Sequence, residues 1–138
     1  MFNLKTIAFT FFVSLAAMSP LHAAEMAQTN ATGVQYMAGG IGEMSQSEFA
    51  EQSKNYNLRL TFAAKTSGAY LADVKVVVTK VGEKSALLEV QVPGPFLFVN
   101  LAAGQYKVAA TYEGETLTST LKLKAKQPRS QVLYFAKE

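Results

Sequence analysis

From Tyr56 to the end of the chain, apolar side chains recur at every second position, in short runs cut by glycine and proline. A period of two sends successive side chains to opposite faces, so each run reads as a strand with one buried face. In the first run Tyr56, Leu58, Leu60 and Phe62 share one face, and Asn57, Arg59 and Thr61 share the other. The second run, Val74 to Val81, is rich in β-branched residues, which suit a pleated strand. In the third, Leu88, Val90 and Val92 alternate with Glu89 and Gln91.

The breaks carry as much information as the runs. Lys65 to Gly68 and Gly82-Glu83-Lys84 read as turns, and Glu113-Gly114 as a hairpin signal. Pro93-Gly94-Pro95 cannot continue a central ladder, because proline has no N–H to donate. Beyond it lie an extended segment from Phe96 to Leu101 and a strand from Gln105 to Tyr112. A further strand follows, with Leu117, Leu121 and Leu123 inward and Thr116, Thr118, Thr120, Lys122 and Lys124 outward. Ser130 to Ala136 forms the last run. Seven short strands with a turn every 8 to 12 residues or so predict an all-β, antiparallel seven-stranded sandwich over 56–138. Residues 36–55 precede it as a Gly-rich loop and one short N-terminal helix. Ser45 followed by Glu48 has the form of a capping box, which sets the helix at Gln46 to Lys54 with Phe49 turned inward.

The N-terminal 23 residues have a different character. Lys5 precedes the apolar run Ile7 to Met18, Pro20 breaks it, and small residues follow at Ala23-Ala24. This is the pattern of a cleaved secretory signal peptide over 1–23, with a flexible leader over 24–35. The expected address is periplasmic or secreted. The apolar run is too short to span a bilayer, and the chain has no cysteine to acylate, so no permanent membrane anchor is expected. The signal carries one of the 13 basic residues and none of the 10 acidic ones, leaving a mildly basic remainder. Lys122, Lys124, Lys126 and Arg129 come nearest to a basic cluster. They suit a charged strand that resists edge-to-edge pairing, and no nucleic-acid partner is expected.

Leu101-x-x-Gly104-x-Tyr106-x-Val108 resembles the L-x-x-G-x-Y-x-V signature of transthyretin-like and carboxypeptidase regulatory-like β-sandwiches. The resemblance extends to Tyr36-Met37-x-Gly39-Gly40-Ile41-Gly42-Glu43, to Tyr56-Asn57-Leu58-Arg59-Leu60-x-Phe62-Ala63, to Gly68-x-Tyr70-Leu71-Ala72-Asp73-Val74 and to Gly94-Pro95-Phe96. Together these are similar to the exported carboxypeptidase regulatory-like single-domain proteins of Gram-negative bacteria. The resemblance implies a periplasmic sandwich of Ig-like or transthyretin-like type, and it brings no peptidase residues with it.

The single histidine, His22, leaves with the signal or lies at its edge, so the remaining chain has no Cys and effectively no His. Ser-His-Asp and Cys-His catalysis, structural zinc and His-ligated haem are thereby excluded. The transthyretin-like hydrolases depend on histidines and a characteristic C-terminal tail, where this chain reads Tyr134-Phe135-Ala136-Lys137-Glu138. Ten acidic side chains remain, eight of them between Glu43 and Glu115, with Asp73 among these; an acid/base pair must converge with split pKa values, and most of the eight sit by turns or on outward strand positions. Asp73 at a strand entrance suits a turn cap.

Gly39-Gly40-Ile41-Gly42-Glu43 could cradle a phosphate or carboxylate with backbone N–H groups, but without the Gly-Lys-Ser/Thr of a P-loop it reads first as a tight turn that docks the leader on the sandwich; if it binds, a partner's chain is the expected ligand. Pro95 and Phe96 sit where aromatic stacking on a sugar or peptide would be sought first. Met26, Met37 and Met44 are weak thioether candidates for Cu(I), since their spacing is irregular and two of them could simply pack on the sheet; no cofactor is expected. The function these features predict is a non-enzymatic binding or assembly module that recognises a protein or an envelope polymer. The alternative is a carboxylate-based hydrolase or a carbohydrate-binding accessory domain.

Overall fold

A computed structural model describes residues 27–41 and 43–137. The signal peptide expected over 1–23 lies outside the described residues, as do Met26 and Gly42. Two sheets face each other. The first contains β1 (Ala27–Thr29), β2 (Gln35–Gly39), β6 (Phe96–Asn100), β3 (Leu58–Ala64) and β9 (Arg129–Phe135), in the spatial order β1-β2-β6-β3-β9. The second contains β4 (Val74–Lys80), β5 (Ala86–Val92), β7 (Gly104–Tyr112) and β8 (Glu115–Leu123), in the order β5-β4-β7-β8. Every pair is antiparallel except β3 with β9, which run parallel from Leu58↔Arg129 to Ala64↔Phe135.

Nine strands are described where seven were expected. The seven runs read from the alternation are all present, and the two additional strands come from residues assigned to the leader and the Gly-rich loop. Asn30 explains why that segment is ordered. Its side-chain oxygen accepts hydrogen bonds from the Thr32 and Val34 amides at 3.1 and 2.8 Å, and its amide donates to the Leu87 carbonyl at 2.6 Å. An Asx turn thus joins β1 to β2 and ties both to β5 of the opposite sheet. The sandwich therefore begins well before Tyr56.

The helix also starts earlier than the capping box predicts. α1 spans Glu43–Gln52, with Ser45 inside it, and a single 3₁₀ turn follows at Ser53–Asn55. Its anchor is the expected one, since Phe49 is buried. Between the sheets, Leu58, Leu60 and Phe62 of β3 meet Val74, Val76 and Val78 of β4 in the main core. Burying a side chain of this kind stabilises the fold by about 1.5–3 kcal/mol. Tyr56 departs from the predicted face. It is buried in a second cluster with Met37, Phe49 and Phe98 on the outer side of the first sheet. It precedes the strand proper, so the period of two does not govern its direction.

Candidate binding face

Helix α1 covers part of the outer face of the five-stranded sheet, through Phe49, and leaves the part nearer β9 open. Registers place Met37 beside Phe98, Phe98 beside Arg59, and Arg59 beside Ser130, as one row across β2, β6, β3 and β9. The next row reads Gly39, Phe96, Thr61, Val132. Beyond it Ala63 lies between Tyr70, joined by an isolated bridge, and Tyr134 of β9. Phe49 reaches down from α1 to the Phe98 and Phe96 rings, with centroids at 5.4 and 5.9 Å. Phe96 also meets Tyr70 edge-on at 5.3 Å. These spacings fall in the range of favourable aromatic pairs.

Between α1 and β9 a groove of about 360 Å³ remains, floored by Phe96, Phe98, Thr61 and Arg59 and walled by α1 and by Ser130 to Val132. Arg59 donates through Nε to the Tyr56 carbonyl at 3.3 Å, which fixes the root of its guanidinium. Among the described residues the one ion pair is Lys75 with Glu89 at 3.1 Å, between exposed side chains of β4 and β5, so Arg59 has no carboxylate partner there. No described Asp or Glu lines the groove. Val132 in the groove wall is 42% exposed, and in the next row of the sheet Tyr134 is 53% and Tyr70 56% exposed.

The predicted site residues divide around this groove. Gly39 and Gly40 are needed for close approach: a Cβ on Gly40 would collide with the Phe96 ring, and one on Gly39 would stand 3.2 Å from Phe49 Cζ. Gly40 also holds φ at 98°, a region that favours glycine. The glycines therefore seat the segment against the aromatic cluster. Ile41 is 64% exposed beside them, and Glu43 opens α1, its side chain outside what is described. Pro95 is buried, and its carbonyl accepts the Phe62 amide at 2.9 Å, so it serves the sheet; Phe96 is half-buried and reaches the groove. Met37 is buried among Phe49, Tyr56 and Phe98 in an apolar setting that suits packing. Met26 and the Met44 side chain lie outside the described residues, so the thioether set is not brought together among the residues described.

Other polar features have structural occupations. Asp73 adopts φ 61°, donates its amide to the Val92 carbonyl at 2.9 Å and accepts from the Gln91 side chain at 2.7 Å, so it shapes the turn into β4. A depression of about 240 Å³ at one end carries Lys54 and Lys126 over Asn57 and Asn100. Asn57 bonds the Leu101 backbone, and Asn100 donates to the Asn55 carbonyl at 2.8 Å. Among the described residues no group of three or more His, Cys, Asp or Glu could hold a metal ion, and no helix is long and apolar enough to cross a membrane.

Arg59, Val132 and Tyr134 were not singled out from the sequence. A signal was present at β9: Val132 and Tyr134 fall out of phase with the inward Leu133 and Phe135, so both faces of the strand are apolar. Comparison with protein-family models gives no match, and comparison with curated proteins gives none either.

Proposed function

We propose that this chain is a non-catalytic binding module, exported to the periplasm, that recognises a protein or envelope polymer through the outer face of its five-stranded sheet. The observation that carries this reading is the groove beside α1: an aromatic floor, one cation without an acidic partner among the described residues, and no described carboxylate. Acid/base hydrolysis needs converging carboxyl groups, and the groove's described lining supplies none. Exposed aromatics with a single charge favour recognition instead. The sandwich, with its parallel β3–β9 pair and a buried Tyr106 whose hydroxyl donates to the Ala102 carbonyl, is compatible with an Ig-like or transthyretin-like scaffold of the carboxypeptidase regulatory-like kind.

Carbohydrate binding is the second reading, favoured by Tyr70 and Tyr134, two exposed rings on either side of the small Ala63. Site-specific photocrosslinking tests the main proposal. A photoreactive residue at Tyr134 should give a discrete protein adduct in envelope preparations that disappears with Arg59→Glu, whereas the same probe at Thr118 on the opposite sheet should not. Equal adducts from both positions, or none from either, would remove the reading.

A further inference from the structure

Strand β9 closes one end of the first sheet, and among the described residues no strand pairs with its far side. The parallel ladder sets which backbone groups are free. The Arg129 amide donates to the Asn57 carbonyl and the Lys65 amide donates to the Phe135 carbonyl, both at 2.7 Å. Odd-numbered residues of β9 therefore turn their N–H and C=O toward β3, and Ser130, Val132 and Tyr134 turn theirs outward. Ala136, next in that outward series, is already taken, because its amide donates to the Glu115 carboxylate at 3.0 and 3.1 Å. Three residues thus present a free strand edge. The other edges are guarded: β1 is three residues long, β5 carries Glu89, and β8 carries Lys122. Between Ser130 and Ala136 there is neither charge nor proline, and the outward side chains Val132 and Tyr134 are exposed apolar residues. Proteins ordinarily protect such an edge.

Resting on the binding reading above, we infer that β9 accepts an extended segment of a partner protein as an additional strand, with an Asp or Glu of that segment meeting Arg59. Backbone bonds to Ser130, Val132 and Tyr134 supply the attachment, and alternate side chains of the segment pack beside Val132 and Tyr134. Arg59 supplies the selectivity. It stands in register with the small Ser130, so an acidic residue beside Ser130 on the added strand lies about 10 Å across the sheet from it, two strand spacings away. Two long side chains span that distance. A second copy of the chain suits the edge less well, because antiparallel pairing of two β9 strands brings no carboxylate to Arg59: residues 130–136 contain none.

The test is a ¹⁵N–¹H titration and amide-exchange measurement on the full mature chain with acetyl-Thr-Glu-Thr-Val-Thr-Val-amide, in which the acid and both valines share one face. Exchange at Ser130, Val132 and Tyr134 should slow on binding, and the same peptide with Lys in place of Glu should bind roughly tenfold more weakly, the worth of one charge-assisted hydrogen bond. Arg59→Gln should abolish that preference. Val132→Lys should weaken both peptides, and Val132→Pro should remove binding while circular dichroism stays unchanged, since the Val132 amide faces away from β3. Unchanged exchange at the three amides with millimolar peptide, in a folded chain, would overturn the inference. So would protection without peptide that disappears on dilution with a sedimenting dimer, or perturbation of Tyr70 and Tyr134 by an acidic oligosaccharide with the edge amides unaffected. Should the Arg59-dependent crosslink from Tyr134 persist while the edge amides stay unprotected, the binding reading stands and strand addition fails.

Discussion

The Tyr106 hydroxyl donates a hydrogen bond of 2.6 Å to the carbonyl of Ala102, four residues upstream. The ring is buried at the start of β7, and its bond fixes the turn that leads out of β6 and crosses between the sheets. This is what Leu101-x-x-Gly104-x-Tyr106 accomplishes physically: the leucine and the ring enter the core, and the hydroxyl holds the corner. Tyr106→Phe should leave the Ala102 carbonyl without this partner and lower stability by about 1–2 kcal/mol. Urea unfolding should show a reduced midpoint with an unchanged slope.

Burial raises the Tyr106 phenol above its usual value of 10.0, and the nearby Glu83 carboxylate raises it further; burial also raises Tyr56. A raised value in the folded state means the fold favours the neutral phenol. That contribution is complete below the unfolded value and is lost as pH rises through the folded one. The melting temperature should therefore fall more steeply above about pH 10 than in the Tyr56→Phe, Tyr106→Phe double variant. Thermal melts from pH 8 to 12 check this, and identical slopes would contradict it.

Among the described side chains of α1, Phe49 is the large apolar one that packs on the sheet. Phe49→Ala should cost about 3 kcal/mol and loosen the helix first, because the main core between the sheets does not depend on it. Amide exchange should accelerate across α1 while β4 and β7 stay protected. Gly40→Ala should act on the same cluster from below, by pushing Phe96 aside and straining a positive φ, at a cost of about 1–3 kcal/mol.

Asn30→Ala removes the side-chain bonds that hold the β1–β2 turn to itself and to Leu87. The Val34 amide should lose protection at least about tenfold, consistent with removing a bond worth around 1.4 kcal/mol, while the β4–β7 ladder keeps its exchange rates. Equal loss throughout the molecule would mean that this hairpin and the sandwich open together.

The seven expected strands were legible because one-sided burial in a strand writes a period of two into the chain, as in Leu58, Leu60 and Phe62. The two further strands were not, because Ala27–Thr29 is exposed throughout and Gln35–Gly39 mixes polar and small residues. Their order depends on one asparagine and on non-local pairing. The Asn30-x-Thr32-Gly33 turn chemistry was the available signal. Of the candidate site, Phe96 and the glycines were found through composition, although the glycines turn out to seat Phe49 and Phe96. Arg59 looked like any outward residue of an alternating strand, and only the register that puts it between Phe98 and Ser130 distinguishes it.

Local physics, carried by the order of residues alone, determined where seven of the nine described strands fall, which of their residues are inward, and that the chain has no cysteine and one histidine. Side-chain alternation, turn chemistry and the inventory of functional groups need no knowledge of neighbours. The tertiary structure alone decided that β3 pairs in parallel with β9, that β2 joins β6, and that α1 covers only part of the outer face. Those are contacts between residues tens of positions apart, where many pairings satisfy the same pattern and packing selects among them. From that selection come the groove and, among the described residues, an Arg59 with no carboxylate partner and a β9 edge with no strand beside it.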